Sequence, residues 1–274
     1  RIPTLPPVSR FFSWFMVKRK SKFRTAKAHT HPLPDRWYPN TPKHPGVAAQ
    51  RWAQLYPQST PTTTSSSSPS SPPPSSTEVA PSFVDIGCGF GACTIAIGAA
   101  LRDLAETPDA AARVVGLEIR VKVVEYGRDR LARLRAEGED HANVAIELTN
   151  AMKLLPHYFA PQSVNAFFIL FPDPHFKVRK HRFRIVSPAL LSCYAALLKD
   201  GGVIYNVTDV KDLFDWTVAI FDAHPLFEPV PAAELNTKLA AVAEGASDEA
   251  QKVKKAGGNI YAKHYRRVNR TLTL

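Results

Sequence analysis

The sequence predicts an α/β fold in which helices cover both faces of a doubly wound, mostly parallel sheet. Three observations predict it. Strand-like and helix-like segments alternate from residue 82 onward, as they do in parallel sheets with helical crossovers. The first buried strand ends in a glycine turn that leads into a helix of small residues, over residues 83–100. Polar side chains follow the ends of several strands, where ligands bind in sheets of this kind.

The elements follow in order along the chain. Apolar runs predict strands over residues 82–86, 113–118, 144–149, 164–171 and 203–208. Helical periodicity predicts helices over residues 92–105, 121–137, 188–198 and 213–224. Residues 260–268 are predicted to close the sheet as an antiparallel edge pair with a strand near Phe227, which makes seven strands. Ser247 is predicted to cap a surface helix.

Charge and composition divide the chain into three parts. Residues 1–56 hold eleven Lys or Arg and one acid, Asp35, whereas the remaining residues contribute 24 basic and 23 acidic side chains to the net charge of +11. Positive charge concentrated in one arm, interleaved with aromatic residues, is typical of polyanion binding, although a generic basic tail or targeting arm has the same composition. Residues 57–81 are nearly all Ser, Thr and Pro, which predicts a disordered linker. We therefore expect a basic arm over 1–56, a linker over 57–81 and a folded domain over 82–274.

Several classes of protein are disfavoured by composition. The three cysteines form no C-x-x-C pair, so neither a disulfide framework nor a four-ligand zinc site is expected, and a reducing compartment is favoured. No apolar run approaches the length of a membrane span. Because the chain begins at Arg1 rather than at a methionine, we expect part of the natural N-terminus to precede it and infer no targeting signal from this end.

The glycine turn is the most informative segment. Residues 83–92 read F-V-D-I-G-C-G-F-G-A. Backbone N–H groups in such a turn, at the start of a helix, approach a ligand closely because no side chain intervenes. The segment fits the dinucleotide fingerprint with Gly87, Gly89 and Ala92 at its three positions. A turn that serves only helix–strand packing is the alternative. The segment predicts a nucleotide-like cofactor.

Polar residues after later strands extend this candidate site. Glu118 follows the second strand and can accept hydrogen bonds from both hydroxyls of a ribose, although an ordinary surface Glu is the alternative. Asn150 follows the third strand and can bond the edge of an adenine, with the small Ala151 leaving room for the ring. Asn is also common in turns. Thr208 and Asp209 follow the fifth strand and face the same rim.

The fourth strand ends in F-P-D-P-H-F-K over residues 171–177. Because proline fixes φ, Asp173 is predicted to lie on a stiff loop at the mouth of the site. A proline-bounded turn with a solvated Asp is the alternative. Five cations and a histidine follow within residues 177–184, a composition that suits phosphate contact with aromatic stacking but also occurs on solvated faces. The predicted RNA-contacting side chains are Lys177, Arg179, Lys180, His181, Arg182 and Arg184.

Five segments taken together resemble one family. They are D-I-G-C-G-F-G, G-L-E-I-R-V-K-V, T-N-A-M-K-L-L-P, F-P-D-P-H-F-K with K-H-R-F-R, and T-D-V. The first has an acid two residues before glycines at every second position, and it resembles the cofactor motif of class I S-adenosylmethionine-dependent methyltransferases. The whole set resembles the tRNA (guanine-N7-)-methyltransferase family in its eukaryotic form. The similarity covers residues 82–269 and, more loosely, residues 27–32.

The resemblance implies a seven-stranded Rossmann-like methyltransferase sheet and methyl transfer from S-adenosylmethionine to N7 of guanosine 46 in the tRNA variable loop. Asp173 takes the place of the family's catalytic acid. The cofactor contacts implied by the motifs are Asp85, Gly87, Gly89, Glu118, Arg120, Asn150, Ala151, Leu170, Ser247 and Glu249. Ser247 stands where relatives carry a Thr. The resemblance further implies a non-catalytic WD-repeat partner subunit, a location in the nucleus or also in the cytoplasm, and neither a metal nor a membrane.

The residues leave other functions open. One alternative is a different S-adenosylmethionine-dependent enzyme acting on an exocyclic amine or a small molecule. Guanine N7 has a lone pair and no proton, so its methylation needs no general base, and a fixed carboxylate at Asp173 suits this reaction better than amine methylation. A non-catalytic RNA-binding subunit is another alternative, against which the presence of Asp85, Glu118 and Asp173 argues. An NAD oxidoreductase is least favoured because no hydride-transfer set is evident.

Overall fold

The computed structural model describes residues 38–57, 80–107 and 110–269 of the 274 residues. The predicted arm up to residue 37, with the segment 27–32, and most of the predicted linker lie outside these residues. None of the helices in the described ranges combines the length and the apolar character that crossing a membrane requires.

A central sheet is flanked by eight α-helices within the described residues. The strands are β1 Phe83–Ile86, β2 Val114–Glu118, β3 Val144–Leu148, β4 Val164–Leu170, β5 Leu198–Thr208, β6 Phe227–Pro229, β7 Tyr261–Ala262 and β8 Tyr265–Arg267. The helices are α1 Ala48–Leu55, α2 Ala92–Leu104, α3 Val121–Ala136, α4 Ala151–Tyr158, α5 Pro188–Leu197, α6 Lys211–Asp222, α7 Thr237–Gly245 and α8 Asp248–Lys255. The first four predicted strands and the first three predicted helices agree with these bounds to within one residue at each end.

The sheet is doubly wound. Its strand order is β3-β2-β1-β4-β5-β8-β6, with β7 also paired to β5. Strands β1 to β5 run parallel, whereas β6, β7 and β8 pair antiparallel at one edge. The chain passes from β1 outward through β2 and β3, then returns to place β4 on the other side of β1. Ile86 at the end of β1 lies opposite both Leu117 and Ile169, so the crevice at this reversal is bordered by the ends of three strands. The predicted fold class is confirmed.

The sheet has eight strands rather than the predicted seven because its C-terminal edge is interrupted. The predicted strand over 260–268 forms β7 and β8, with Lys263 between them still bonded through its N–H to the Asn206 carbonyl at 3.1 Å. The register against β5 is unchanged across the break, with Ala262 opposite Val207 and Tyr265 opposite Ile204. One antiparallel edge segment is thus divided in two, and it pairs with β6 as predicted.

Two apolar layers cover the sheet. Alternating side chains of the strands face opposite sides, as the pleat requires. On one face they pack against α1, α4 and α5, and on the other against α2, α3 and α7. Helix α2 lies so close to the sheet that a Cβ at Gly98 would come within 2.1 Å of the Val144 side chain.

Helix α1 belongs physically to the folded domain, although its residues fall within the predicted arm. Trp52 is 1% exposed and packs against Tyr158 and Phe159, with ring centroids 5.5 and 5.6 Å away. Tyr56 is also buried, and its hydroxyl donates to the Val114 carbonyl at 2.8 Å. Trp52 and Tyr56 are two of the aromatic residues of the predicted basic arm, and both are core residues instead. The predicted boundary near residue 57 does not separate two packing units.

Candidate active site

A cavity of about 600 Å³ opens at the carboxyl ends of the parallel strands. The loops after β1, β2, β3, β4 and β5 form its walls, together with the start of α8. All the residues predicted to bind cofactor, and the predicted catalytic acid, line it. They are Asp85, Gly87, Gly89, Glu118, Arg120, Asn150, Ala151, Leu170, Asp173, Ser247 and Glu249.

The glycine turn after β1 leaves the cavity open. Gly87 and Gly89 have φ values of +77° and +56°, which favour glycine because a side chain is strained there. A Cβ built at either position would meet no atom within 4 Å. Side chains would therefore project into the space from which a ligand approaches. Gly91, at φ +79°, instead fits tightly against the sheet, since a Cβ there would lie 2.6 Å from the Ile146 side chain.

Asp85 is a buried carboxyl group beneath this turn. It is 2% exposed, and its Oδ2 accepts a hydrogen bond from the Thr94 hydroxyl of α2 at 2.7 Å. Burial raises the pKa of Asp85 to about 7, with a smaller contribution from the negative charge of Glu118. The group therefore titrates near neutral pH. The Thr94 bond acts in the opposite direction and favours the ionised form.

Glu118 holds the turn and the next loop together. Its Oε2 accepts from the Gly89 N–H at 3.1 Å, and its Oε1 accepts from the N–H groups of Ile119 and Arg120 at 2.8 and 3.0 Å. The Arg120 guanidinium adds two more bonds, from Nε and Nη2, both at 3.0 Å. This ion pair raises the pKa of Arg120 against the opposing effect of burial, and the nearby charge of Asp173 contributes in the same direction. A chain of alternating charge thus runs along the wall from Glu118 to Asp173.

Three of the predicted cofactor residues also serve the local structure. The Asn150 side chain accepts from the Met152 N–H at 3.1 Å and begins α4. Ser247 accepts from the Ala250 N–H at 3.0 Å and begins α8, as predicted for a cap. Glu249 is exposed and pairs with Lys252 at 2.7 Å. Helix α4 itself was not predicted, because Asn150 reads as a ligand and Pro156 interrupts the helical pattern.

Asp173 lies on a loop whose backbone is strained at both ends. Phe171 and His175 have φ values of +49° and +46°, which are uncommon for residues with side chains. At the first end, the Phe171 N–H donates to the Val207 carbonyl of β5 at 2.7 Å. At the second end, the Pro174 carbonyl accepts from Nε of Arg184 at 2.9 Å. Asp173 thus lies at the mouth of the site, as predicted, and lines the cavity together with the glycine turn.

The basic segment after this loop is a 3-10 helix over Val178–Phe183. Its predicted RNA-contacting side chains do not line the cavity. Four of them are exposed, and they are Lys177, Arg179, Lys180 and Arg182. His181 is half-buried near Trp216. Arg184 is buried, with its guanidinium 4.5 Å from the centre of the Trp216 ring, so its predicted place on the exposed RNA surface is wrong.

Comparison with known proteins identifies the family. A family model described as "Putative methyltransferase" matches residues 79–263. The chain is 36% identical to the tRNA (guanine-N(7)-)-methyltransferase of Bos taurus, over 91% of this chain and 88% of that protein. It is 37% identical to the enzyme of the same name from Neurospora crassa, over 91% and 87% of the two chains. The Homo sapiens protein of that name is 36% identical, over 91% and 88%. The chain belongs to the tRNA (guanine-N(7)-)-methyltransferase family. The resemblance predicted from the sequence motifs is confirmed.

Some site residues of this tRNA (guanine-N(7)-)-methyltransferase family member were missed by sequence reasoning. Thr94 is the hydrogen-bond partner of Asp85, but its place one turn inside α2 carries no signal of that contact. Cys88 and Phe90 also line the cavity, hidden within the glycine motif. Burial raises the pKa of the Cys88 thiol well above its usual range, so this cysteine is held as a neutral thiol. Among the described residues, no group of three or more His, Cys, Asp or Glu side chains could hold a metal ion.

Proposed function

We propose that this chain transfers a methyl group from S-adenosylmethionine to N7 of a guanine in tRNA, and that this guanine is position 46 of the variable loop. One observation carries the proposal. The loop of Asp173 and the glycine turn follow the adjacent strands β4 and β1 and line one cavity. A carboxylate that orients a purine and a turn that holds a nucleotide-like methyl donor thus face the same space. Membership of the family supports the reaction and the substrate class.

The cavity residues fit the methyl donor. The turn at Gly87 and Gly89 leaves the room that a Cβ would fill, and Glu118 is the acceptor for the ribose hydroxyls. That carboxylate already receives five N–H contacts, whereas a carboxylate has about four lone-pair sites. Glu118 can therefore accept hydrogen bonds from the two ribose hydroxyls only if some of these N–H donors move away. Because the backbone donors are fixed by the turn and the loop, the Arg120 fork is the group that releases.

The chemistry needs positioning more than proton transfer. When bound, S-adenosylmethionine would supply a methyl group on a sulfonium. Guanine N7, which carries no proton, would form the new N–C bond with its lone pair as the S–C bond breaks, and the neutral thioether S-adenosylhomocysteine would be the leaving group. Asp173 accepts hydrogen bonds from the N1–H and N2 edge of the guanine and holds N7 in line with the methyl group. In-line placement removes much of the barrier to such a reaction. The carboxylate also stabilises the positive charge that methylation places on the purine.

We assign the substrate surface to the basic segment that follows the Asp173 loop. The four exposed cations of the basic segment follow directly on the Asp173 loop and suit contact with phosphates. A guanine in a loop of folded RNA exposes N7, whereas the major groove of an RNA duplex is too narrow for side chains. We further propose that a WD-repeat subunit assists this chain and that the complex works in the nucleus. Family resemblance supports both.

The test uses labelled S-adenosylmethionine and a tRNA that has a guanine at position 46, with and without the partner subunit. N7-methylguanosine is mapped by reduction and aniline cleavage. We expect label at position 46 only, and none in a tRNA in which that guanine is replaced by adenine. Label at another base, or label that resists aniline cleavage, would contradict the proposal.

The role of Asp173 is tested in parallel. Asp173→Ala and Asp173→Asn should retain cofactor affinity, measured by calorimetry, and lose most methyl transfer. The matched control is Asp212→Asn, an exposed acid on α6 that does not line the cavity. It should methylate at the rate of the unchanged protein. Equal loss of cofactor binding and of methyl transfer in the Asp173 variants would assign that residue to cofactor binding instead.

A further inference from the structure

Arg184 is a buried cation at the end of the basic segment that follows the Asp173 loop. Only 5% of the residue is exposed, and it does not line the cavity. Its side chain makes two contacts of different kinds. Nε donates to the Pro174 carbonyl at 2.9 Å, and the guanidinium lies 4.5 Å from the centre of the Trp216 ring on α6. Burying a guanidinium is costly unless its contacts offset that cost, which points to a specific role for them.

The carbonyl that Arg184 holds belongs to the residue after Asp173. This part of the loop ends at His175, whose φ of +46° is strained, and strained backbone persists only where surrounding contacts fix it. Phe183, the neighbour of Arg184, packs edge-on against the His175 ring at 5.7 Å. Both of these contacts with the second end of the loop come from the end of the basic segment.

The first end of the loop has a different anchor. The Phe171 N–H is bonded to the Val207 carbonyl within the sheet, so that end follows β4 and β5 directly. The second end is instead contacted by a side chain, that of Arg184, and the platform for that side chain is Trp216 on the separate helix α6.

We propose that Arg184, stacked on Trp216, is the positioning residue that fixes the Asp173 loop for methyl transfer. The effect on methyl transfer rests on the proposed function, whereas the effect on the order of the loop does not. Arginine suits the task because its planar guanidinium stacks on an aromatic ring while an N–H in the same plane donates a hydrogen bond. Lysine keeps the charge but lacks the planar fork and the Nε donor.

The experiment compares variants of the full chain. Arg184→Met and Arg184→Lys remove the bond to Pro174, and Trp216→Leu removes the platform, whereas Trp216→Phe keeps an aromatic face. Arg179→Met is the matched control, because Arg179 is an exposed cation of the same segment. Hydrogen–deuterium exchange of the backbone amides of Asp173, His175 and Phe176 reports the order of the second end of the loop, since Pro172 and Pro174 have no amide hydrogen. Steady-state kinetics with tRNA and calorimetry with S-adenosylmethionine report its consequence.

We expect faster loop exchange in Arg184→Met, Arg184→Lys and Trp216→Leu, with Trp216→Phe close to the unchanged protein. In the first three, kcat should fall by up to about 100-fold, as misplacement of a reacting group by about 1 Å can cause, with the cofactor dissociation constant and the KM for tRNA unchanged. Arg179→Met should instead raise KM and leave loop exchange unaltered. The kcat of the double variant Arg184→Met/Trp216→Leu should fall no further than that of either single variant, because both substitutions disrupt the same Arg184–Trp216 stack.

Two results would overturn the proposal. One is unaltered loop exchange in a folded Arg184→Lys or Trp216→Leu protein. The other is a rise in KM with constant kcat, which would return Arg184 to the RNA surface. If Arg184→Met fails to fold, the lysine and leucine variants decide, since both keep most of the local packing. If the variants show faster loop exchange but the unchanged protein does not methylate tRNA, the role of Arg184 in ordering the loop stands and only the proposed function is refuted.

Discussion

Asp85 shows how burial sets the chemistry of a single residue in this site. Its carboxyl group is enclosed by the glycine turn and α2, and the groups that face it are the Thr94 hydroxyl, the thiols of Cys88 and Cys93, and the Glu118 carboxylate. The pKa rises from 3.8 to about 7 because desolvation outweighs the Thr94 bond. A cationic ligand in the cavity favours the ionised form of this group.

The raised pKa of Asp85 makes folding stability depend on pH. Between about pH 4 and pH 7 the folded protein keeps a proton on Asp85 that the unfolded chain has released, so this group lowers the free energy of unfolding as pH rises through that window. Below the window it has no effect, and above it the full penalty remains. Asp85→Asn should remove the penalty. Urea unfolding at pH 5 and pH 8 measures it, and we expect the variant to lose less stability over this interval than the unchanged protein.

The unchanged protein must be compared with Asp85→Asn because buried histidines change the free energy of unfolding with pH in the opposite direction. Burial lowers the pKa of His141 and of His264, and stability from these groups rises with pH up to the ordinary histidine pKa. Subtracting the variant from the unchanged protein isolates Asp85. The exposed Asp212→Asn should leave the pH dependence as it is. If the free energy of unfolding changes equally between pH 5 and pH 8 in Asp85→Asn and in the unchanged protein, Asp85 is ionised throughout that interval.

At the scale of residues, the sequence predicts which residues line the cavity better than it predicts the contacts that support them. The lining residues follow strand ends in a fold whose strand ends meet, so their positions in the chain imply their positions in space. Arg184 lies in a basic run like its neighbours, and nothing in that run indicates burial. Its partner Trp216 is 32 residues away on α6, and only the packing of α6 against the segment brings the two together.

Helix α1 is defined by tertiary contacts rather than by a sequence pattern of its own. Its Arg51 forms a two-pronged pair with Glu147 of β3, with Nε to Oε1 at 2.9 Å and Nη2 to Oε2 at 2.5 Å. Arg128 of α3 and the Tyr158 hydroxyl of α4 bind the same carboxylate at 2.8 and 3.3 Å. Glu147 is fully buried, so one carboxylate joins three helices to the sheet.

Removing the shared carboxylate of Glu147 should lower the free energy of unfolding by more than removing one of its partners does. Glu147→Gln leaves Arg51 and Arg128 without their anion, and breaking a buried pair in this way costs about 3 kcal/mol. Arg51→Met leaves Arg128 to neutralise Glu147 and should cost less. Lys238→Met, which breaks an exposed pair with Asp103, should cost about 0.5 kcal/mol or less. Urea unfolding measures all three, and a loss in Glu147→Gln no larger than that in Lys238→Met would show that the shared carboxylate does not stabilise the fold.

Local patterns explain which elements were predicted. The long strands and helices combine periodicity with clear ends, such as Ser187 and Pro188 at the start of α5. Helix α1 has eight residues within a stretch whose positive charge suggests a different role, and its single Trp is indistinguishable in sequence from a stacking aromatic. The division of the last strand into β7 and β8 is a matter of local hydrogen bonding against β5, which no periodicity reveals.

At the scale of the whole molecule, topology and charge separate two tasks. The order of the strands brings the glycine turn and the Asp173 loop together because the connection from β3 passes back over β2 and β1 and places β4 beside β1. Positive charge, in contrast, is concentrated before the sheet begins. Residues 1–37 contain nine Lys or Arg and one acid, which is eight of the eleven net charges. The described residues that line the cavity all belong to the later part of the chain, from Asp85 onward.

A chain that begins at residue 38 should therefore bind S-adenosylmethionine normally and bind tRNA weakly, because it keeps α1 and the cavity but loses eight net charges. The dissociation constant for tRNA, measured by anisotropy between 50 and 200 mM salt, should show a log–log slope reduced on the order of 3–6 units, since each lost phosphate contact removes just under one unit.

A chain whose first 37 residues are shuffled keeps the charge, and it should retain the slope. If it does not, specific contacts of the arm, rather than its charge, bind the RNA. An unchanged slope in the shortened chain would place the phosphate contacts on the basic segment after Asp173 instead.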